Sequence, residues 1–267
     1  MDCRTVTRLI ASCGLIALAF AGAAPDTSAA ERLPTTIRGK TITLELYRPA
    51  AGQAAKGTIF MGSGDVGWVG LGVDLAEFLS REGYFVVGIN VRQYLGSFTS
   101  GASHVEPPQV QEDYATFAQL LRDRQLLVDP VVVSGVSEGA ALAVLAGARA
   151  PNHAWIRGVI TMGLPPTAEL AWRWTDVTAW ITKKDPSEPS FEPLGFIAAV
   201  APVPLWMIQS TKDEYVREAD YRAFEATARQ PKRLVLIPAS NHRFTDRLPE
   251  LRAQFLAGLA WIRSQGS

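Results

Sequence analysis

The chain has 267 residues, 48% of them hydrophobic, which is enough to bury the core of one α/β domain but not of two full domains. Its 26 lysine and arginine residues balance 26 aspartate and glutamate residues. Because neither sign of charge is in excess, the composition excludes the basic surface that binds nucleic acid or coats an anionic membrane. No nucleic-acid partner is expected.

The first thirty residues have the pattern of a secretory signal peptide. Arg4 and Arg8 precede a mostly apolar run over residues 9–20, and small residues follow that run. This order predicts cleavage near residue 23 or residue 30, and export to the bacterial periplasm or the medium. Because the apolar run is shorter than the roughly 20 residues that span a bilayer, we expect no transmembrane segment in the mature chain.

The two cysteines, Cys3 and Cys13, both lie within this signal segment. The mature protein would therefore carry no thiol nucleophile, no disulfide and no cysteine metal ligand. No cluster of metal ligands stands out in the rest of the chain, so neither a metal nor an organic cofactor is expected.

After residue 31, β-rich runs alternate with helical ones, which predicts a mostly parallel sheet covered by helices on both faces. Lys40–Tyr47 alternates polar and apolar residues, as expected of a half-exposed edge strand. Residues 58–61 and 84–89 are short, nearly continuous apolar runs, which suit interior strands. The remaining predicted strands span residues 130–134, 155–162, 204–209 and 233–237, and helices are predicted around residues 75–79, 114–121, 140–150, 218–228 and 248–262.

The stretch over residues 164–202 departs from this alternation. It contains three tryptophans and several prolines, and we interpret it as a small helical cap inserted into a single domain that spans residues 31–267. An ordinary crossover with a long loop is the alternative, although structureless loops of that length are unusual inside a compact domain.

A Gly-x-Ser-x-Gly match occupies residues 135–139, with Ser137 at its centre. Such a match arises easily by chance, so its context decides. A β-branched run precedes it and small, helix-forming residues follow it, as in the strand-turn-helix "nucleophile elbow". The pattern predicts Ser137 as a nucleophile on strained backbone, with the Glu138 NH group at a helix N-terminus as an oxyanion donor.

A serine nucleophile needs a base, and the chain has three histidines. His242 lies in a loop after the last predicted strand, where a base would reach the carboxyl ends of the strands. His104 precedes the serine motif and His153 follows it closely, so both are interpreted as surface or packing residues.

The acid that orients the base should follow the preceding strand, and Asp213 and Glu214 occupy that place. We favour Asp213, and expect the adjacent Glu214 to point away from the site. The order Ser137, Asp213, His242 is that of the α/β hydrolases rather than of the chymotrypsin or subtilisin folds.

The loop over residues 62–68 is rich in glycine and follows the strand where a second oxyanion donor is expected. It lacks the lysine of a phosphate-binding loop and the spacing of a dinucleotide site. The backbone NH of Asp65 is the first choice of donor, with Gly64 or Ser63 as alternatives. Trp68 and Trp172 are candidates for an apolar substrate wall, or else packing residues.

The same loop, Ser63-Gly64-Asp65-Val66-Gly67-Trp68, resembles the Ser-Gly-Asp-Gly-Gly-Trp signature of the VirJ/AcvB group of exported bacterial proteins. That resemblance implies periplasmic hydrolysis of aminoacyl esters on phospholipid head groups. The chain has Val66 where the group has a second glycine. It also has Glu138 where the group usually has phenylalanine.

Glu138 has two interpretations. Its carboxylate is either a negative site for the ammonium group of an aminoacyl substrate, or a solvated acidic residue favoured by the helix dipole.

The sequence as a whole predicts an exported serine hydrolase that cleaves a small-molecule or lipid carboxylic ester through an acyl-enzyme. A peptidase or amidase on the same triad is one alternative, because the same three residues also cleave amides. A non-catalytic periplasmic accessory or binding protein on a hydrolase scaffold is the other. The oligomeric state carries no prediction.

Overall fold

The structure, a computed structural model, describes residues 30–173 and 188–265. The predicted signal peptide, except for its last residue, lies outside the described residues, and so does the middle of the predicted cap. Within the described ranges, no helix is both long enough and apolar enough to cross a membrane.

The strands are β1 (Glu31–Ile37), β2 (Lys40–Tyr47), β3 (Thr58–Gly62), β4 (Phe85–Ile89), β5 (Val131–Val136), β6 (Ile156–Met162), β7 (Ala168–Glu169), β8 (Ser190–Phe191), β9 (Leu205–Ser210) and β10 (Lys232–Ile237). Eight of them form the sheet at the centre of the molecule, in the order β1-β2-β4-β3-β5-β6-β9-β10, and β7 and β8 form a separate pair. The pairs from β4 through β10 are parallel, and β1 and β2 join antiparallel at one side.

Helices cover both faces of this sheet, as the sequence predicts. The helices are α1 (Leu71–Arg81), α2 (Val91–Phe98), α3 (Pro107–Asp123), α4 (Glu138–Ala148), α5 (Leu194–Ile197), α6 (Glu218–Thr227) and α7 (Leu248–Gln265), with 3-10 turns at Ala150–Ala154 and Ala198–Val200. One hydrophobic cluster packs α2, α3, α4 and α6 on one face, and a second packs α1 and α7 on the other. The mostly parallel, doubly covered fold is confirmed.

Helix α4 consists of small and apolar residues because it is buried on all sides. It lies against β5 and β6 on one side and α3 on another, and every residue from 139 to 147 is buried. A helix buried all round needs apolar side chains on all sides, and here they are small enough to let it approach the sheet closely. This close approach fixes the start of α4 at the carboxyl end of β5.

The prediction that β2 is an edge strand is wrong. Strand β1 pairs with it along its whole length, from Glu31↔Leu46 to Ile37↔Lys40, and forms the edge itself. The two strands are joined by Arg38 and Gly39, which both have positive φ (45° and 74°), the conformation of a tight two-residue hairpin. The alternation in β2 reflects its two differently buried faces, not a free edge.

The described parts of the predicted cap are short irregular elements. A two-residue antiparallel pair, β7 with β8, is followed by the single-turn helix α5 and a 3-10 turn. The Val105 NH donates to Leu170 O (2.9 Å), which ties the start of this segment to the body of the domain. The segment over residues 174–187, on which the predicted helical character of the cap depends, lies outside the described residues.

Candidate active site

Ser137 stands on a sharp turn between β5 and α4. Its backbone has φ 54° and ψ −121°, a region that costs a non-glycine residue of order 1–3 kcal/mol and persists only where the surroundings impose it. Two backbone bonds fix this turn: the Ser137 NH donates to Met162 O (3.0 Å), and the Gly139 NH donates to Ser63 O (3.0 Å). The serine is therefore held at the carboxyl end of the parallel strands, where open α/β sheets bind ligands.

The two glycines that flank Ser137 in the motif, Gly135 and Gly139, make this turn possible. A Cβ on Gly135 would stand 2.1 Å from the Gly139 carbonyl carbon, and a Cβ on Gly139 would stand 2.3 Å from Gly62 O. Both distances are shorter than any real Cβ contact with backbone. The glycines of the Gly-x-Ser-x-Gly motif are thus required by the crossing of β3, β5 and α4.

The structure brings His242 and Asp213 together. His242 Nδ1 lies 2.7 Å from Asp213 Oδ2, at the carboxyl ends of the adjacent parallel strands β9 and β10. The Asp213 carboxylate is fully buried and accepts three further bonds, from the backbone NH groups of Tyr215 (2.9 Å) and Val216 (3.0 Å) and from Gln209 Nε2 (2.8 Å). With four donors around it, this carboxylate is held as an oriented anion.

The His242 ring lies beside the turn that carries Ser137. The Ser137 NH donates to the carbonyl of Met162, and Gly163 follows Met162 in the chain. Gly163 faces the ring so closely that a Cβ on it would stand 2.7 Å from His242 Cε1. The Tyr215 ring lies nearly perpendicular to the His242 ring on another side, with centroids 5.3 Å apart. His242 is only 6% exposed, and its Nε2, opposite the Asp213 contact, has no hydrogen-bond partner among the described residues.

Glu214 does not point away, contrary to the sequence prediction. Its Oε2 accepts the backbone NH of His242 at 2.8 Å. The two adjacent acids therefore divide the work of placing the histidine: Asp213 holds the ring and Glu214 holds the main chain.

The two other histidines lie in separate environments. His104 Nε2 contacts Glu106 Oε1 at 2.8 Å, and His153 Nε2 contacts the Gly147 carbonyl at 2.9 Å. Both interactions are local, in keeping with the surface or packing interpretation. Across residues 30–173 and 188–265, no group of three or more His, Cys, Asp or Glu side chains is arranged to hold a metal ion.

The three candidates for the second oxyanion donor differ in what they contact. The Ser63 NH donates to Ile89 O (3.0 Å) and so belongs to the backbone framework. Gly64 lies next to the nucleophile, because a Cβ on it would be 3.6 Å from Ser137 Cβ. The Asp65 NH, the first choice, donates to Glu138 Oε2 at 3.1 Å.

Glu138 therefore reaches across to the glycine-rich loop. Burial raises the pKa of its carboxyl above the ordinary value, and the nearby Asp65 carboxylate raises it further. Hydrogen bonds from its own backbone NH and from the Ser137 hydroxyl, together with the His242 ring, act in the opposite direction. The side chain is partly exposed, so it has access to the mouth of the site.

The raised pKa of Glu138 has a consequence for stability. The folded state holds the Glu138 proton more tightly than the unfolded chain does. Protonated Glu138 therefore contributes fully to the free energy of unfolding below pH 4.5, the ordinary pKa, and this contribution is lost as the pH rises above that value. Glu138→Gln, which cannot ionise, should melt higher than the wild type at pH 7, on the order of 2 °C, and the difference should shrink toward pH 4. Thermal unfolding followed by circular dichroism at pH 4, 5, 6 and 7 tests this. A difference that is constant across that range would contradict it.

The two tryptophans named as candidate substrate contacts have different surroundings. Trp68 donates its indole NH to the Tyr47 hydroxyl (2.9 Å), and its ring fills the space over Gly88, where a Cβ would stand 2.2 Å away. These are packing contacts, the alternative that the sequence left open. Trp172 lines a surface groove of about 620 Å³, and the Arg92 guanidinium stacks 4.1 Å from its ring.

Gly163 is the residue behind the histidine ring, and its replacement should impair the site without unfolding the domain. In Gly163→Ala, the new Cβ would push His242 out of its place, and we expect kcat/KM for an activated ester to fall about 100-fold, the cost of a misplacement of about 1 Å. The control is Gly101→Ala, since Gly101 has a similar φ (55° against 59°) but its added Cβ would meet no atom of the described residues within 4 Å. Equal activities of the two variants would contradict the clash between the added Cβ and His242.

The doubly covered parallel sheet, with a serine on a strained strand-helix turn and a histidine-acid pair beside it, defines the α/β hydrolase class. The chain belongs to the VirJ family: the family model described as "Bacterial virulence protein (VirJ)" matches residues 57–256. No curated protein matches the chain in sequence.

Solved structures of α/β hydrolases share the fold at low sequence identity. Est1E from Butyrivibrio proteoclasticus is 16% identical, with a TM-score of 0.63 over 87% of this chain and 100% of its own. XC6422 from Xanthomonas campestris, described as a serine hydrolase without lid, is 19% identical, with a TM-score of 0.58 over 87% and 94%. A putative dienelactone hydrolase from Klebsiella pneumoniae is 14% identical, with a TM-score of 0.64 over 88% and 98%. The α/β hydrolase fold is thereby confirmed.

Proposed function

We propose that this protein is a serine hydrolase that cleaves carboxylic esters with Ser137, His242 and Asp213 as its triad. One observation carries the proposal: a fully buried Asp213 carboxylate lies 2.7 Å from His242 Nδ1, while His242 Nε2, beside the strained Ser137 turn, has no hydrogen-bond partner within the described part of the chain. A carboxylate bound to one ring nitrogen fixes the tautomer in which the other nitrogen accepts a proton.

The reaction follows from these positions. Ser137 Oγ forms a bond to the ester carbonyl carbon as its proton passes to His242 Nε2, and Asp213 stabilises the imidazolium. The carbonyl oxygen becomes an oxyanion that accepts hydrogen bonds from the backbone NH groups of Glu138 and Asp65. The bond to the alcohol oxygen then breaks, and that oxygen takes the proton from His242. Water repeats the sequence on the acyl-enzyme and releases the acid.

The proposal extends to the kind of ester and to the compartment. Membership of the VirJ family and the loop over residues 63–68 support aminoacyl esters on phospholipid head groups as substrates. The groove lined by Arg92, Trp172 and Arg173 supports the same substrates, because it carries cationic side chains beside Asn90, which packs against Gly67 of the loop. The basic-apolar-small pattern at the start of the chain supports export to the periplasm.

Labelling with a fluorophosphonate probe tests the triad directly, because the probe reacts only with an activated serine. We expect the purified mature protein to be labelled, and expect Ser137→Ala and His242→Ala to lose labelling. Ser134→Ala is the matched control, since Ser134 is a fully buried serine three residues away whose hydroxyl has no hydrogen-bond partner among the described residues. Failure of the folded wild type to label would overturn the proposal and favour a binding protein on a hydrolase scaffold.

A substrate screen tests the finer claims. The wild type, with Ser137→Ala as its control, is assayed on simple esters, on peptide amides and on aminoacylated phospholipids. We expect turnover of the aminoacylated lipids and of simple esters. Turnover of simple esters without the aminoacylated lipids would remove the lipid substrate and retain the esterase, whereas faster cleavage of amides would replace the esterase with a peptidase.

A further inference from the structure

The Glu138 carboxylate occupies a hydrogen-bond donor that a substrate oxyanion is expected to use. Its Oε2 accepts the Asp65 NH at 3.1 Å. This oxygen lies near the nucleophile, since a Cβ on Gly64 would stand 3.9 Å from it and 3.6 Å from Ser137 Cβ. The Asp65 NH is one of the two NH groups assigned to the oxyanion in the reaction above, so a side chain of the protein itself holds that donor.

An ester carbonyl and the Glu138 carboxylate cannot use the Asp65 NH together. A backbone NH makes one good hydrogen bond, so a tetrahedral oxyanion gains this donor only after the carboxylate has left. In this resting arrangement the Glu138 side chain competes with the substrate for an oxyanion donor.

The Glu138 side chain can leave the Asp65 NH more easily when a positive charge is present at the mouth of the site. The charged groups that act on it are the Asp65 carboxylate, which opposes its ionised form, and the His242 ring. Asp65 is exposed at the same mouth, with its Oδ1 bonded to the Val66 NH (2.8 Å). A carboxylate that swings out meets a second negative group there, and a cation on the substrate offsets that repulsion.

We propose that Glu138 is a specificity-determining residue: as an internal ligand of the oxyanion site it disfavours neutral acyl groups and selects acyl groups that carry an ammonium beside the ester carbonyl. An ammonium on the adjacent carbon lies next to the oxyanion donors, so it draws the carboxylate off the Asp65 NH as the carbonyl enters. A neutral acyl group displaces the carboxylate without compensation. This role rests on the proposed function and adds a mechanism of selection to it.

A carboxylate that only caps the start of α4 would behave differently. Its replacement would change stability through the helix dipole, and would leave the preference between acyl groups unchanged. The ratio of two substrates therefore separates the two roles.

The experiment compares the 4-nitrophenyl esters of alanine and of propionic acid, which share a leaving group and differ by one ammonium. The ratio measured is kcat/KM for the alanyl ester divided by kcat/KM for the propionyl ester. In Glu138→Ala we expect kcat/KM for the propionyl ester to rise about fivefold and that for the alanyl ester to fall about tenfold, so this ratio drops about 50-fold. Glu138→Gln keeps the shape of the side chain and serves as a second variant in case Glu138→Ala does not fold. It should lose the preference for the alanyl ester as well. Glu77→Gln, on the exposed part of α1, controls for net charge and should leave the ratio unchanged.

The outcomes distinguish this role from the proposed function. A ratio within twofold of the wild type in both Glu138 variants, or an equal fall for both esters, would overturn the role of Glu138 while leaving the triad intact. Absence of turnover of both esters by a folded wild type that also fails to label at Ser137 would overturn the proposed function, and the role of Glu138 with it.

Discussion

Replacement of Asp213 with asparagine should lower kcat for an activated ester by about 10⁴-fold without unfolding the protein. In the proposed triad, the carboxylate accepts the His242 Nδ1 proton across the 2.7 Å contact, which leaves Nε2 to accept the serine proton. The asparagine amide would turn a donor toward Nδ1 and force the proton onto Nε2, so the ring could no longer act as a base toward Ser137. The same change would replace a carboxylate that accepts hydrogen bonds from the Gln209 side chain and from the backbone NH groups of Tyr215 and Val216.

The size of this effect is measured as kcat under saturating ester, with circular dichroism to show that the fold is retained. Asp220→Asn is the matched control, because the Asp220 carboxylate pairs with Arg217 at the surface of α6, where the loss of one ion pair costs little. We expect less than a twofold change in kcat for the control. A loss below tenfold in Asp213→Asn would mean that His242 is not oriented by Asp213 during turnover.

The sequence predicts those parts of the site that depend on local patterns. Ser137 was recognisable because strand, turn and small-residue helix occupy consecutive residues. Asp213 and His242 were recognisable because each follows a predicted strand, and parallel strands bring their carboxyl ends to one edge. The structure places His242 against Asp213, as the pattern requires.

The missing parts depend on contacts between distant segments. The roles of Glu214 and Gly163 come from where the loop that carries His242 folds back, 28 residues after Glu214 in the chain, and no pattern around either residue indicates that contact. The reach of Glu138 to Asp65 joins residues 73 apart and exists only because β3 and β5 are neighbours. Side-chain contacts of this kind follow from the tertiary arrangement, which periodicity does not specify.

Sequence patterns fail to predict β1 and α2 for a different reason. The sequence carries a signal for β1 and its hairpin in the Arg38-Gly39 turn, but arginine at positive φ is uncommon and the turn does not match the usual Asn-Gly type. Helix α2 spans only eight residues, too short for a clear period, and its start depends on the Asn90 side chain that accepts the Gln93 NH (3.1 Å).

Gly139, where α4 crosses β3 beneath Ser137, should tolerate an added side chain very poorly. In Gly139→Ala, the added Cβ would lie 2.3 Å from Gly62 O and 2.6 Å from Ser63 O, both main-chain atoms of an interior strand and its continuation. Since no side chain can rotate away, α4 must move off the sheet. We expect a loss of about 3 kcal/mol or more, at the upper end for overpacking, and a fall in Tm of roughly 6–12 °C.

Thermal and urea unfolding of Gly139→Ala measure this loss, and Gly195→Ala provides the comparison. An added Cβ on Gly195, in the short helix α5, meets no atom within 4 Å among the residues that the structure describes, so the stability of Gly195→Ala should differ from that of the wild type by less than about 0.5 kcal/mol. A Tm for Gly139→Ala within 2 °C of the wild type would mean that β3 and α4 do not cross at this separation. The turn would then have room to relax, and the strained conformation of Ser137 would lose the packing that enforces it.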